Sequence, residues 1–250
     1  MAIVEWKKDG TVAIMILNNG ENRHNPVWAE AMLSTYDDIM ADPEIKSIVL
    51  TSSDPKNFCL GVDVEWLGKT MAADDWPAVE QWLHRTGDVF RTLLMSPVPT
   101  IAAVTGHAFG NGAMLMGACN FRFMRADRGF FCFPEIDLGI QPAPSMVEWM
   151  KRIMPYNLFE RLLFSGEKIG AAELEKHNVI MKACENAEKT LEEAVAFAKT
   201  FNKPRANMTE MKIRTYKHII DKMENEDPRY YKYEPELKKQ GITPIFMFTR

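Results

Sequence analysis

The sequence predicts an α/β protein in which strands and helices alternate along the chain. Short apolar segments typical of buried strands recur between longer segments of helical periodicity, and turn residues separate the two kinds. The 250 residues, 46% of them hydrophobic, can bury a sizeable core as one large domain or as a domain with an appendage. Alternation of this kind is typical of α/β layering.

The chain is predicted to begin with a hairpin and a helix. The apolar segments 2–6 and 12–17 are joined by a turn sequence that ends in Gly10, which is typical of two antiparallel strands. Asn25 then precedes a proline, and this pair is typical of a helix N-cap followed by the first helical position. We therefore predict a helix over residues 26–40.

The remaining elements are predicted from short apolar segments and from amphipathic or wholly apolar stretches. Strands are predicted at 46–50, 100–104, 121–125, 130–132 and 179–182. Helices are predicted at 75–95, 113–119, 145–153, 158–164, 171–176, 187–201 and 207–223. Because the segment around Pro204 has the composition of a boundary, we predict a core over 1–200 and a C-terminal helical tail over 201–250.

Composition and charge exclude several classes of protein. The net charge of −4 and the pI of about 5.8 are not those of a nucleic-acid-binding protein. No apolar stretch is long enough for a membrane span, and the first residues resemble a strand and not a signal peptide. Four scattered cysteines favour reduced thiols, and the five histidines lack the spacing of metal ligands. We expect a cytoplasmic protein that binds neither nucleic acid nor membrane and holds no metal.

The most informative segment is a strand, a glycine-rich turn and a helix between residues 100 and 119. Gly106, Gly110 and Gly112 punctuate the turn, and the helix that follows is almost wholly apolar. Such glycines let the backbone pass close to a ligand, and free N–H groups at a helix start can stabilise negative charge on an oxygen. Taken alone, the segment is equally compatible with a tight turn that binds nothing.

Two further segments resolve this ambiguity. FCLGVDV at 58–64 precedes the glycine-rich turn, and PEIDLGI at 134–140 follows it. In this order and spacing, the three segments resemble the motifs of the crotonase family, the enoyl-CoA hydratases and isomerases. The resemblance, which extends over about residues 1–185, implies a crotonase-like spiral of repeated ββα units. It also implies a C-terminal helical trimerisation region, and hence a homotrimer or a hexamer built as a dimer of trimers, with Tyr230–Tyr233 suited to a subunit contact.

The resemblance implies how an acyl-CoA thioester is held. The thioester oxygen would lie in an oxyanion hole formed by the backbone N–H groups of Val62 and Asn111. The implied contacts with the CoA group are Leu60, Asp63, Arg23, His24 and Lys56. The implied walls of the acyl pocket are Trp66, Phe109, Met114 and Pro142. No cofactor is implied apart from the coenzyme A of the substrate itself.

The acidic residues indicate which reaction the family resemblance implies. Hydratases of the family carry two glutamates, at the positions of Met114 and Glu135 in this chain, because water addition moves two protons. Moving a double bond from C3 to C2 needs one base, which takes the C2 proton and returns it to C4. The chain therefore resembles the single-glutamate Δ3,Δ2-enoyl-CoA isomerases, and apolar surroundings should raise the pKa of Glu135. Ala143 stands where the related dienoyl-CoA isomerases carry a second acid.

Two alternatives remain open at this point. A different crotonase-family reaction, enoyl-CoA hydration or thioester hydrolysis, could use a second acid among Glu65, Asp137 and Glu148. The fold could also serve as a non-enzymatic binding protein, since a fold does not by itself determine function.

Overall fold

The computed structural model describes residues 2–232; the remainder of the predicted tail, including Tyr233, lies outside the described residues. The strands are β1 Val4–Asp9, β2 Val12–Leu17, β3 Ser47–Ser52, β4 Asn57–Cys59, β5 Thr100–Val104, β6 His107–Phe109, β7 Phe121–Arg125, β8 Phe131–Cys132 and β9 Lys182–Cys184. The helices are α1 Pro26–Ala41, α2 Val64–Ala72, α3 Trp76–Met95, α4 Asn111–Ala118, α5 Glu135–Leu138, α6 Pro144–Ile153, α7 Tyr156–Ser165, α8 Ala171–Lys176, α9 Ala187–Ala198, α10 Arg205–Asn225 and α11 Pro228–Tyr231.

The strands form two sheets that are wound together. The larger sheet has the order β1-β2-β3-β5-β7-β9, and the smaller sheet has the order β4-β6-β8. Only β1 and β2 pair antiparallel, and the other pairs are parallel. Each of β3, β5 and β7 is followed by one strand of the smaller sheet and then by helix. These are the repeated ββα units of the crotonase spiral, so the predicted α/β spiral is confirmed.

The larger sheet is buried on both faces, because alternate side chains of its strands point to opposite sides. Leu50 and Val104 belong to the main core, which lies between the sheets and the helices. Val49 and Ile101 belong to a smaller cluster that α9 covers with residues such as Ala194. Helix α10 packs against α3 and α6. No helix within residues 2–232 is long and apolar enough to cross a membrane.

Some elements differ from those predicted. The strand predicted at 179–182 forms at Lys182–Cys184, because Val179 is instead buried in the turn after α8, where its carbonyl accepts a hydrogen bond from Arg122. Strands β4 and β6 were too short to predict from three residues each. Helix α2 was also not predicted, although the side chain of Asp63 caps it by accepting from the Trp66 N–H.

Two turns contact each other backbone to backbone, and glycines make this possible. A Cβ atom on Gly112 would lie 2.0 Å from the carbonyl oxygen of Cys59, and one on Gly106 would lie 2.2 Å from that of Lys56. Gly61 has a φ of +77°, and a Cβ atom there would lie 2.8 Å from the Asn111 nitrogen. The segment 56–62, which we call the first turn, therefore rests directly on the segment 106–112, the second turn.

We predict that Gly112→Ala lowers the free energy of unfolding by at least about 3 kcal/mol, because the added methyl group must separate the two turns. Gly68→Ala is the matched control, since Gly68 lies inside α2 with no neighbour within 4 Å of its added Cβ. The control should be as stable as the wild type or more stable by about 0.5–1 kcal/mol, because alanine is the better helix former. Urea unfolding followed by circular dichroism measures both changes. Equal stability of the two variants would show that the turns do not touch in this way.

Candidate active site

A cleft opens where the two turns meet α3 and the start of α5, with about 690 Å³ of space that includes open solvent. Its walls are mostly apolar, with a few polar groups among them. The lining residues are Arg23, Leu60, Val62, Val64, Leu83, Thr86, Gly110, Asn111, Pro134, Glu135, Leu138, Ile140, Gln141, Pro142, Met146 and Tyr231. Glu135 is the only residue with a carboxyl side chain among the described residues that line it. A large apolar pocket with few polar groups is the usual form of a small-molecule site.

Glu135 is the first residue of α5, and its side chain is buried beside the second turn. Only 6% of its surface is exposed, and this burial raises the pKa of the carboxyl to about 7. A Cβ atom on Gly110 would lie 3.3 Å from Oε1, so only a glycine leaves the carboxyl this close to the turn. Oε2 has no hydrogen-bond partner within the described part of the chain. The carboxyl can therefore exchange a proton with a bound molecule near neutral pH.

The backbone N–H groups of Val62 and Asn111 lie on the two sides of the contact between the turns. The Gly61 carbonyl accepts from the His24 N–H at 2.7 Å, and the Asp63 N–H donates to the His24 carbonyl at 3.0 Å. This pairing fixes the backbone around Val62 without using its N–H. Asn111 is the first residue of α4, and the first N–H groups of a helix have no intrahelical acceptor. Both residues line the cleft.

Of the predicted CoA contacts, Leu60 and Arg23 line the cleft. Arg23 also donates to the Val62 carbonyl at 3.1 Å and pairs with Glu21 at 2.7 Å, so it helps to hold the first turn. Lys56 lies instead in a neighbouring cleft of about 540 Å³, whose other lining residues include Leu60. Leu60 therefore adjoins both clefts.

Two predicted CoA contacts have structural roles. Asp63 caps α2, and its other carboxylate oxygen accepts from Asn25 at 3.0 Å. His24 is fully buried, its ring stacks on Trp28 at 3.5 Å, and its Nε2 lies 3.1 Å from the Cys59 sulfur. Burial lowers the pKa of His24 to about 3, so the ring is neutral. The prediction that His24 meets a CoA phosphate is wrong, because the ring has neither charge nor access.

Three of the four predicted acyl-pocket residues lie outside the cleft, and only Pro142 lines it. Trp66 packs against Trp82, with ring centroids 5.1 Å apart. Phe109 lines the neighbouring cleft, where the Lys168 ammonium lies 5.5 Å from its ring. Met114 is 1% exposed and points into the core, because it lies one turn inside α4, whose residues after Asn111 are all buried. These three predictions are corrected.

Among the lining residues that were not recognised in the sequence, two carry hydroxyl groups. Thr86 is 2% exposed, and its hydroxyl has no partner within residues 2–232. It interrupts the apolar face of α3, and a polar residue in such a face is the signal that could have identified it. Tyr231 had been expected at a subunit contact, but its ring is buried and lines the cleft, with its hydroxyl 3.5 Å from Asp227.

The candidate second acids do not reach the cleft. Glu65 is exposed and pairs with Lys69 at 2.6 Å, and Glu148 pairs with Lys151 at 3.1 Å. Asp137 is exposed on α5, on the side away from Glu135. No group of three or more His, Cys, Asp or Glu residues within the described chain could hold a metal ion.

Comparisons with known proteins identify relatives of the chain. The family model described as enoyl-CoA hydratase/isomerase matches residues 7–242. The peroxisomal enoyl-CoA delta isomerase 1 of Arabidopsis thaliana is 30% identical over 192 residues, which are 76% of this chain and 78% of that protein. A crotonyl-CoA hydratase of Syntrophomonas wolfei is 27% identical over 187 residues, which are 73% of this chain and 69% of that protein.

The fold has close counterparts among solved structures. An apo enoyl-CoA isomerase from Mycobacterium tuberculosis superposes with a TM-score of 0.79 at 19% identity, over 89% of this chain and 95% of that chain. At this identity the likeness concerns the fold alone. The family model matches most of the chain, including the three motifs that form the cleft. This match therefore shows family membership and not only the fold. The protein is a member of the crotonase family, the enoyl-CoA hydratases and isomerases.

Proposed function

We propose that the protein is a Δ3,Δ2-enoyl-CoA isomerase, which converts a 3-enoyl-CoA into the 2-enoyl-CoA. One observation carries the proposal: a single buried carboxyl group, that of Glu135, lies among the described cleft residues, beside the helix start that carries Asn111. The relative named as an enoyl-CoA delta isomerase supports the same reaction. Moving a double bond along a chain requires one group that accepts and returns a proton, and the cleft contains one such group.

In the proposed mechanism, backbone N–H groups stabilise the negative charge and Glu135 transfers the proton. The thioester oxygen accepts hydrogen bonds from the N–H groups of Val62 and Asn111, and each such donor contributes about 3–4 kcal/mol to stabilising the transition state. Ionised Glu135 removes a proton from C2, and the electron pair moves into the thioester carbonyl to give the enolate. When the carbonyl re-forms, the double bond shifts to C2–C3 and Glu135 returns its proton to C4. The carboxylate is regenerated, and atoms and charge balance.

The rest of the cleft suits the two ends of such a substrate. The acyl chain would lie along Leu83, Ile140, Pro142 and Met146, which are apolar and close to Glu135. The CoA group would leave the cleft past Leu60, toward the neighbouring cleft with Lys56 and Lys168. We propose that the reaction uses no metal or redox cofactor.

The proposed assembly and location follow from the family and from the thiols. We propose a homotrimer or a hexamer. All four cysteines are free thiols, which suits a reducing compartment such as the cytoplasm.

Hydration and thioester hydrolysis are less well supported. A hydratase is among the relatives, but adding water requires a second proton-transfer group and an anchor for the water molecule. Met114, at the position of the second hydratase glutamate, is buried and apolar. A non-enzymatic binding protein would not need a carboxyl whose pKa is raised by burial, because that burial costs stability.

We predict that the wild type isomerises 3-hexenoyl-CoA and forms no more than trace 3-hydroxyacyl-CoA from crotonyl-CoA. Glu135→Gln should lower the isomerase turnover by at least about 100-fold, because the amide cannot accept the C2 proton. Glu148→Gln, which removes a carboxyl outside the cleft, should leave turnover unchanged. Product analysis by liquid chromatography distinguishes the two products, and circular dichroism verifies the fold. Strong hydratase activity of the wild type, or normal turnover of folded Glu135→Gln, would contradict the proposal.

We predict that Glu135 makes the protein less stable as pH rises from about 4.5 to about 7. Its pKa is about 7 in the folded chain and 4.5 ordinarily, so the folded state binds more protons than the unfolded state in this window. Glu135→Gln lacks this effect, and its stability advantage over the wild type should grow by on the order of 3 kcal/mol across the window. Urea unfolding at pH 5, 6, 7 and 8 measures the difference. Parallel stability curves for the two proteins would show that Glu135 titrates normally.

A further inference from the structure

A second pocket, with about 670 Å³ of space that includes open solvent, lies outside the active-site cleft, between α10 and the residues that join α4 to β7. Its lining residues are Pro99, Asn120, Phe121, Phe201, Met208, Met211, Lys212, Thr215 and Tyr216. We call it the Lys212 pocket, and it shares no lining residue with the cleft that contains Glu135. Lys212 is only 3% exposed, and its ammonium group has no hydrogen-bond partner among the described residues.

Hydrogen-bond donors around Lys212 outnumber the acceptors. The Tyr216 hydroxyl accepts from Arg152 Nη1 at 2.8 Å and from Asn120 Nδ2 at 3.2 Å. Because both of these contacts use its oxygen, its own hydrogen is left to donate. Arg152 and Arg122 are engaged by backbone carbonyls, including that of Cys119. Within residues 2–232, neither these arginines nor Lys212 forms a salt bridge with a carboxylate.

A buried ammonium without a partner is costly, and the fold does not need it. An aliphatic side chain at position 212 would pack in the same place without the desolvation penalty. Burial, reinforced by the positive charge of Arg152, lowers the pKa of Lys212 to about 7. An anion in the pocket would therefore accept hydrogen bonds from both the Lys212 ammonium and the Tyr216 hydroxyl.

The walls of the pocket restrict the chemistry of that anion. Five apolar side chains, from Pro99, Phe121, Phe201, Met208 and Met211, surround the polar floor. A small hydrated anion such as inorganic phosphate would leave these walls uncovered. A carboxylate with an apolar tail would contact the floor with its oxygens and the walls with its chain.

We propose that the Lys212 pocket binds a free aliphatic carboxylate, with its head on Lys212 and Tyr216 and its chain against the apolar walls. The site is distinct from the acyl-CoA cleft and does not depend on the proposed isomerase activity.

Calorimetric titration of the full-length protein with octanoate tests the site. Lys212→Met should weaken octanoate binding by at least about 10-fold, because a charge-assisted hydrogen bond is lost while the size of the side chain is kept. Tyr216→Phe should weaken it by a smaller factor. Lys217→Met is the matched control, since Lys217 lies on the same helix but pairs with Asp221 on the surface. If octanoate bound in the active-site cleft instead, none of the three substitutions would change its affinity.

Proton uptake gives a second, independent measurement. The charged or titratable groups that act on the Lys212 amine are Arg152 on α6 and Cys119 after α4, and Tyr216 on α10 lines the same pocket. Arg122 on β7 adjoins Arg152, Cys119 and Tyr216. At pH 8 the free amine is largely neutral, so binding of a carboxylate should take up close to one proton. Titrations in two buffers of different ionisation enthalpy measure this uptake, and Lys212→Met should show none.

Lys212→Met should also unfold at a higher temperature than the wild type when no ligand is present, because it removes the unpartnered ammonium. If Lys212→Met does not fold, the octanoate affinity of Tyr216→Phe is compared with that of the wild type instead. Failure of the wild type to bind octanoate, for example because a carboxylate of a second copy fills the pocket, would overturn the proposal. Equal binding of octan-1-ol or of inorganic phosphate, or unchanged affinity in folded Lys212→Met, would overturn it as well.

Discussion

The backbone contact between the first turn, 56–62, and the second turn, 106–112, is the constraint on which the site depends. It brings the start of α2 against the start of α4, so that Val62 and Asn111 line one cleft. The contact requires residues without a Cβ atom, since at Gly112 that atom would lie 2.0 Å from the Cys59 carbonyl oxygen. The smaller sheet extends the same contact, because β4, β6 and β8 align the two turns with the loop that leads to Glu135. The local sequence motifs thus form one site because this tertiary contact brings them together.

Burial of Glu135 connects stability with the proposed chemistry. The desolvation that raises the pKa of its carboxyl to about 7 also disfavours the ionised form that would act as the base. The fold tolerates this cost because one carboxyl, and not two, is placed among the described residues of the cleft. A second carboxyl at position 114 would lie buried in α4 and would raise this cost further.

Much of the fold could be predicted from the sequence because it is encoded locally. Apolar strands, the N-cap at Asn25 and the glycine-rich turn each depend on neighbouring residues, and the family resemblance supplied the order of the ββα units. The predictions that were wrong concern residues whose positions depend on tertiary packing. His24 carries a polar ring, but stacking on Trp28 buries it. Phe109 lies within the second turn and Met114 lies just after it. Strand alternation directs Phe109 into the neighbouring cleft, and helix packing directs Met114 into the core. Tyr231 is distant in sequence, and no local signal places it beside the cleft.

The central claim is that backbone N–H groups, held by the contact between the turns, stabilise the enolate. The most direct test compares kcat/KM for 3-hexenoyl-CoA in Asn111→Pro and Asn111→Gly. Asn111 is the first residue of α4, where proline is compatible with a helix, so the proline variant removes the N–H and little else. The account predicts a loss of at least about 100-fold for Asn111→Pro and a much smaller loss for Asn111→Gly, which keeps the N–H. If the glycine variant is as impaired as a folded proline variant, the Asn111 side chain carries the function, and the claim is contradicted.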